Sequence, residues 1–597
     1  MPAIPDSGDL TATPYWRVFL LFLVTGIGVL LLDGPPGASF AADVDDIARK
    51  LQIADLLRDG QWHDLSWPVL AMPDAYVTPW SRLVDAPYMM VTWVLGLFMA
   101  PDAAFAAARL VVPPLWFVAY AALAARVIQH ISGPHLRALP IIAAAVASLL
   151  ALPEFYPGRI DHHNVQLVLM LALCLGLVSP HRYAGVLIGL ASFLSVAVGL
   201  ECAPFVALAL VGLGLAAVWT GDSDLARRLS QAGLTLVIVT LPASAVLIGP
   251  GAMSQVQCDA LSAPWIAALC LGGLVLAAMP RLWRHERFAG PVARLSSLAV
   301  PGAVLLAGLW LAFPACHAGP LWMIDPIASE YWFARIPQER GLIEGYARGA
   351  PLAIPVVMGG LIAVLIAAWY WARPRTAGAL VILLMASAAL LLTILQSRNF
   401  RFPAVFIPLF VPAVLMALST VSTWTKRLAP LAVPVVLGLA LVGLVNRTEL
   451  AVDPILIMDG DACKDGDFSV LDNAPPGIVM APSGLSFTLA EHIVATHGPH
   501  QLASLPFHRA APSISKVAKA FIMDDSTARR EALAPFTYVA VCTTNVTFDG
   551  SVAPLYVALS AGEDWPGLVD VETDRASRFR LLRINHEALR EARTNPR

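Results

Sequence analysis

The sequence predicts a polytopic α-helical membrane protein of about thirteen transmembrane helices, followed by a small C-terminal α/β domain. Three observations predict it. The 597-residue chain is 58% hydrophobic and only 14% charged, with a mean hydropathy of +0.69, far too apolar for a soluble protein. Its apolar runs reach the roughly 17–25 residues that a bilayer crossing takes. From Asn446 onward the composition changes to short strand-length runs alternating with amphipathic stretches.

The runs that predict spans are 15–32, 104–127, 137–153, 164–180, 182–200, 204–220, 229–249, 264–279, 295–313, 350–371, 376–395, 402–418 and 428–445. One further run, 86–100, would invert every later loop if it crossed. Loop charge decides against a crossing. With it left out, one side of the membrane receives Arg126 and Arg137, then Arg182, Arg227 and Arg228, then Arg281, Arg284, Arg287 and Arg294, then Arg373, Arg375, Lys426 and Arg427. Those short basic loops mark the cytoplasmic side. Residues 86–100 are therefore expected at the outer surface, interfacial or re-entrant, and the first helix is expected to stay uncleaved because Asp6 and Asp9 offset Arg17.

This topology makes residues 1–445 a membrane domain with a large first outer loop (33–103) and a long later one (314–349). Residues 446–597 form an outer soluble domain. In it, "PILIM" (454–458), "GIVMA" (477–481) and "YVAVC" (538–542) read as strands, and "LSFTLAEHIVATHG" (485–498) as a helix. The net charge of −3 argues against a nucleic-acid partner. Of seven cysteines, Cys258, Cys316, Cys463 and Cys542 fall on the outer side and are candidates for two disulfides of open connectivity. Cys174, Cys202 and Cys270 read as small apolar packers.

Four polar clusters crowd against outer span ends. The first loop opens with "ADVDDIARKLQIADLLRDGQW" (42–62), where Asp45 and Asp46 begin a helical pattern. Acids there also suit the exposed N–H groups and dipole of a helix start. The second cluster is "GRIDHHN" (158–164). Asp161 or Asn164 suits a cap, but a cap does not explain Arg159 with two adjacent histidines, whereas Asp plus His is a ligand set for a divalent cation. His162 and His163 would diverge on a helix, so one of them is expected to join Asp161. The third cluster, "MIDPIASEYWFARIPQERGLIEGYARG" (323–349), contains Glu339. The fourth, "QSRNFRF" (396–402), puts Arg398 and Arg401 on the outer side against the charge trend. A guanidinium fork suits phosphate, so these two, with Arg159, are candidate phosphate ligands.

At these residues the chain resembles the GT-C membrane glycosyltransferases. "DDIARKLQIADLLRDGQW" (45–62) is similar to the first-loop signature of lipid A aminoarabinose transferases and protein O-mannosyltransferases, with Asp45 and Asp46 on its acidic pair and Gln61 replacing a later Asp. "DAPYMMVTWVLGLF" (85–98) resembles that class's non-spanning outer segment. Asp161 falls on its second acidic motif. The layout of spans and tail resembles the catalytic subunit of oligosaccharyltransferases, where "RIPQERGL" (335–342) puts Glu339 on a loop Glu and "RNFRF" puts Arg401 on a donor-contacting Arg. The tail lacks the Trp-Trp-Asp signature that reads an Asn sequon.

The resemblance implies a bacterial inner-membrane enzyme with its active site facing the periplasm. It would transfer a sugar or oligosaccharide, with inversion, from a polyprenyl-phosphate or polyprenyl-diphosphate donor to a lipid, polysaccharide or protein acceptor. It implies Asp45 as catalytic carboxylate with Asp46 beside it and Glu339 assisting. Asp45, Asp161, His162, His163 and Glu339 would supply ligands for Mg2+ or Mn2+, and Arg159, Arg398 and Arg401 would bind the donor phosphate. The alternatives are a transporter or flippase of lipid-linked saccharides and a non-catalytic polysaccharide-assembly protein. Transporters keep polar residues near the midplane and show internal repeats, and neither feature is visible.

Overall fold

The computed structural model describes residues 12–32, 44–58, 60–71, 76–347, 353–372, 376–419, 458, 461–544, 552–571 and 577–591. The chain divides into two compact units. The first comprises residues 1–41, 79–317 and 340–447, and the second 42–78, 318–339 and 448–597. The second unit thus takes in two inter-span segments as well as the tail that the sequence marks out.

The first unit is helical. Among the described residues, eight helices are long and apolar enough to cross a membrane, and four shorter ones, Ala138–Ala147, His163–Val178, Ala184–Val198 and Val357–Tyr370, are as apolar. Together they coincide with the first twelve expected spans. The thirteenth expected span, 428–445, lies outside the described residues. Segment 86–100 forms a helix over only Asp85–Leu95, roughly 16 Å of rise against an apolar core of about 30 Å, so it is too short to span. Its Met90, Trp93 and the following Leu97 and Phe98 are exposed. Pro291–Ala312 has no buried residue at all, as befits a helix whose solvent is lipid on most sides. The long Ser223–Met253 helix breaks at Gly249, whose φ of 77° only glycine adopts freely, next to Pro250. A disulfide joins Cys258 to Cys316, with S–S 2.06 Å.

In this unit's core, aromatic and aliphatic side chains of many helices interlock. Phe205 packs on Phe402 and Phe406 with ring centroids 4.7 and 5.3 Å apart, and Phe155 sits 5.0 Å from Tyr120. Phe155 and Phe402 lie one residue from Glu154 and Arg401 respectively, so packing pins the backbone from which those charged side chains project.

The second unit is α/β, with strand order β2-β1-β3-β5-β4. The strands are β1 (Ile478–Met480), β2 (Gln501–Leu502), β3 (Tyr538–Cys542), β4 (Leu568–Asp570) and β5 (Phe579–Ile584). β1 runs parallel to β2 and β3, while β5 runs antiparallel to β3 and β4. The Ser483–Thr496 helix supplies the crossover between β1 and β2. All five residues of central β3 are buried, which explains its unbroken apolar run. "PILIM" lies outside the described residues except for Met458. Cys463 and Cys542 form a disulfide. Residues 69–71 lie along β2, where Ala71 N–H donates to Leu502 O at 2.8 Å and Leu502 N–H to Val69 O at 2.7 Å. That pairing covers the sheet edge. Lys50 of the Val44–Arg58 helix ion-pairs with Glu491 of the Ser483–Thr496 helix.

Candidate functional site

A polar cluster sits where four chain segments of the first unit end or begin helices. After the Ala138–Ala147 helix, a 3-10 turn at Leu152–Phe155 carries Glu154. The chain then reverses through Gly158, whose φ of +95° is open to glycine, and whose N–H donates to Arg109 O at 3.0 Å. Arg159, Asp161 and His162 follow, and His163 opens the His163–Val178 helix. A short 3-10 turn at Leu200–Cys202 brings Glu201 in between the Ala184–Val198 and Ala203–Thr220 helices. A further 3-10 turn, Ser397–Arg401, follows the Ala377–Leu395 helix and delivers Arg398 and Arg401.

Asp161 is not the helix cap. The residue in the cap position is His162, and no side chain caps there. The Asp161 carboxylate instead meets both imidazoles. Its Oδ1 lies 2.5 Å from His162 Nδ1 and its Oδ2 3.2 Å from His163 Nε2. The expectation that one histidine alone joins Asp161 is therefore corrected. His162 has right-handed helical backbone angles (φ −75°, ψ −13°), yet each of the two Asp161 oxygens meets one imidazole, and the ring centroids stand 4.3 Å apart. All three residues are buried.

Glu201 faces the same two rings from the other side. Its Oε2 lies 3.5 Å from His162 Nε2 and 3.7 Å from His163 Nδ1, and it accepts from Gln166 Nε2 at 2.9 Å. Its Oε1 accepts from Arg398 Nη2 at 2.5 Å. Glu154 joins two arginines, accepting from Arg159 Nη2 at 2.8 Å and standing 3.3 Å from Arg401 Nε. The three arginines that the sequence offers for an anion are thus each held by a glutamate, and three acids (Glu154, Asp161, Glu201) balance three guanidinium groups.

The electrostatics follow from these contacts. Burial pushes the Glu154 carboxyl up, but Arg401 and Arg159 outweigh it and hold the group down at about 2. Burial likewise opposes the charged form of Asp161, and the two adjacent histidines and Arg159 overcome it, leaving the carboxyl well below its ordinary range. Burial would lower His162, but contact with Asp161 and then Glu201 raises it to about 10.

Among the described residues, Asp161, His162 and His163 are the group of three such side chains whose ligand atoms all lie within 4.8 Å of one another. Donors around one tetrahedral ion with bonds of about 2.0–2.1 Å stand roughly 3.3 Å apart. The 3.2 Å separation of Asp161 Oδ2 and His163 Nε2 fits that spacing.

The structure places the other sequence candidates in the second unit. Asp45 and Asp46 occupy the first turn of the Val44–Arg58 helix, Asp46 buried and Asp45 partly so. Glu339 ends a 3-10 turn at Pro337–Glu339 and is partly buried. Sequence reasoning missed Glu201, Gln166 and the anchoring role of Glu154. A signal for Glu201 exists, since it is the sole acid between Asp161 and Asp222, and an acid inside a long apolar stretch is costly without a role.

No protein-family profile and no curated protein sequence matches the chain. Solved structures do. The archaeal oligosaccharyltransferase AglB from Archaeoglobus fulgidus, in complex with an inhibitory peptide and a dolichol-phosphate, superposes with a TM-score of 0.58 at 11% identity over 95% of this chain and 74% of that one. The chain shares the fold of that enzyme. The same archaeal enzyme tethered to an acceptor peptide containing an NVT sequon, and its complex with Zn and sulfate, each match at 13% identity and a TM-score of 0.56, over 95% of this chain and 73% of theirs. The likeness is thus one of fold, with very little sequence in common, and it extends over nearly the whole chain. The expected resemblance to the layout of oligosaccharyltransferases holds at the level of fold.

Proposed function

We propose that this protein is a GT-C-type membrane glycosyltransferase. It takes a sugar or oligosaccharide from a polyprenyl-phosphate or polyprenyl-diphosphate carrier and passes it to a lipid, polysaccharide or protein acceptor at the periplasmic face of a bacterial inner membrane. The observation that carries the proposal is the buried meeting of Asp161, His162 and His163 with three glutamate-held arginines at helix ends of a GT-C fold. The bound dolichol-phosphate and the zinc and sulfate of the archaeal neighbour support the same reading.

In this reading Asp161, His162 and His163 hold a divalent cation. Two imidazoles and one carboxylate suit Zn2+ or Mn2+ better than Mg2+, which favours oxygen donors. When bound, the cation offsets charge on the carrier phosphate as it leaves. Arg159, Arg398 and Arg401 bind that phosphate, and Glu154 keeps two of them aimed and rigid beforehand. Three acids already answer the three guanidinium groups, so a cation and an anion arriving together would add little net charge to the buried site, whereas either one alone would add more. Asp45 takes the proton from the acceptor as general base, with Asp46 beside it, and Glu339 assists as a further carboxylate. A single displacement at the anomeric carbon inverts its configuration.

The test uses purified protein in liposomes with a polyprenyl-linked saccharide. The reading expects free carrier phosphate and an acceptor-linked sugar of inverted configuration. Saccharide crossing the bilayer without transfer would establish a flippase instead. Full transfer by both Asp45→Asn and Asp161→Asn would defeat the assignment of residues.

A further inference from the structure

We infer that Glu201 is a positioning residue for this cation site: acting with Gln166, it fixes the tautomer of His163 so that Nε2, on the Asp161 side, is the nitrogen left to bind the ion. The inference rests on the reading of Asp161, His162 and His163 as cation ligands. It concerns residues that neither the sequence motifs nor the fold likeness assigns.

Each imidazole lies between two carboxylates. On one side Asp161 approaches His162 Nδ1 and His163 Nε2, at 2.5 and 3.2 Å. On the other, Glu201 approaches His162 Nε2 and His163 Nδ1, at 3.5 and 3.7 Å. Which side binds a cation depends on which ring nitrogens carry hydrogen. Gln166 settles this for His163. Its Nε2 donates to Glu201 Oε2 at 2.9 Å, so the amide is oriented with Oε1 toward His163 Nδ1, 2.8 Å away. A carbonyl oxygen only accepts, so Nδ1 must carry the hydrogen and Nε2 keeps its lone pair. A histidine that gives one N–H to an acceptor chain and offers its other nitrogen to an ion is the usual metal-binding arrangement.

Two further features hold Glu201 and Gln166 in place. Arg398 Nη2 donates to the other oxygen of Glu201 at 2.5 Å, which leaves Oε2 for Gln166 and the rings. At residue 199, a Cβ would lie 2.7 Å from Gln166 Nε2, so glycine there makes room for the amide. With Glu201 gone, the Gln166 amide is able to rotate and donate to His163 Nδ1. The ring hydrogen then moves to Nε2, and the ligand on the Asp161 side is lost.

The experiment titrates full-length protein in detergent with Co2+, reading the visible absorption of the bound ion, with Zn2+ as competitor. Wild type is expected to bind one Co2+. Glu201→Ala and Gln166→Ala should each weaken binding about 10–100-fold, and the double variant should be no weaker than the worse single one, because the two act through one chain of hydrogen bonds. Glu201→Gln, which still offers a carbonyl oxygen to Gln166, should recover most of the affinity. Binding by both alanine variants within about twofold of wild type overturns the inference alone, and so does a fully additive double variant. Absence of Co2+ and Zn2+ binding by wild type overturns the cation site and the inference together. Should Glu201→Ala fail to fold, Gln166→Ala and Gly199→Ala carry the same test, the latter by pushing the amide aside.

Discussion

The Asp161 cluster and the Asp45–Asp46 pair both put acids at the start of a helix, but they are built in opposite ways. Asp45 and Asp46 are neighbours in one helical turn, where the helix dipole favours an acid. Asp161 draws its setting from afar: Glu201 is 40 positions on, and the arginine that answers it, Arg398, lies another 197 away. A largely buried cluster of charged and ionisable groups is strongly unfavourable unless every charge is answered. The contrast places the larger mutational penalties in the Asp161 region.

The largest effect is expected at Asp161 itself. Asp161→Asn keeps the shape but removes the charge on which both imidazoles converge, and transfer should fall at least about 1,000-fold through loss of the cation's contribution. A rate assay on membranes checks this. Next is Glu154→Ala, which leaves Arg159 and Arg401 buried with one carboxylate fewer. It should destabilise the protein by about 3–5 kcal/mol, read as a lowered melting point in detergent.

A pH series sharpens the comparison further. The Glu154 carboxyl is depressed to about 2 in the folded protein, below its unfolded value, so its stabilisation is fully present above the unfolded value of about 4.3. That stabilisation should be lost as pH falls toward about 2. Melting points taken from about pH 6 down to about pH 2 should show the decline in wild type and a flatter one in Glu154→Gln. The smallest effect on stability belongs to Asp45→Asn. Its interaction with the helix dipole is weakened, and its melting point should correspond to a loss within about 1 kcal/mol. A larger loss would mean that Asp45 is held by its surroundings as Asp161 is, and the contrast between the two regions would fail.

The same contrast governs what the sequence discloses. Hydropathy is local, so the apolar helices and the short 85–95 helix are legible from run length and loop charge. "YVAVC" reads as a strand because every residue of β3 is buried. Asp161, His162 and His163 are contiguous, so their chemistry is visible as a motif. The reading of a single histidine at Asp161 fails because a carboxylate has two oxygens, and here each meets one ring. Glu201 and Gln166 are silent in sequence for a different reason. Their meaning depends on the turn at 199–202 docking against the first turn of the 163–178 helix, a contact between residues 35 positions apart. Arg398 and Arg401 stand out by sign, but the glutamates that hold them cannot be paired with them until the helices are packed.

The central claim is that Asp161, His162 and His163 hold the ion on which transfer depends. The most direct measurement is the rate of sugar transfer from a polyprenyl-linked donor by chelator-stripped protein, titrated with Zn2+ or Mn2+. The account predicts no transfer after stripping, saturable recovery in wild type, and no recovery at any cation concentration in Asp161→Asn. Undiminished transfer by the stripped protein would contradict it.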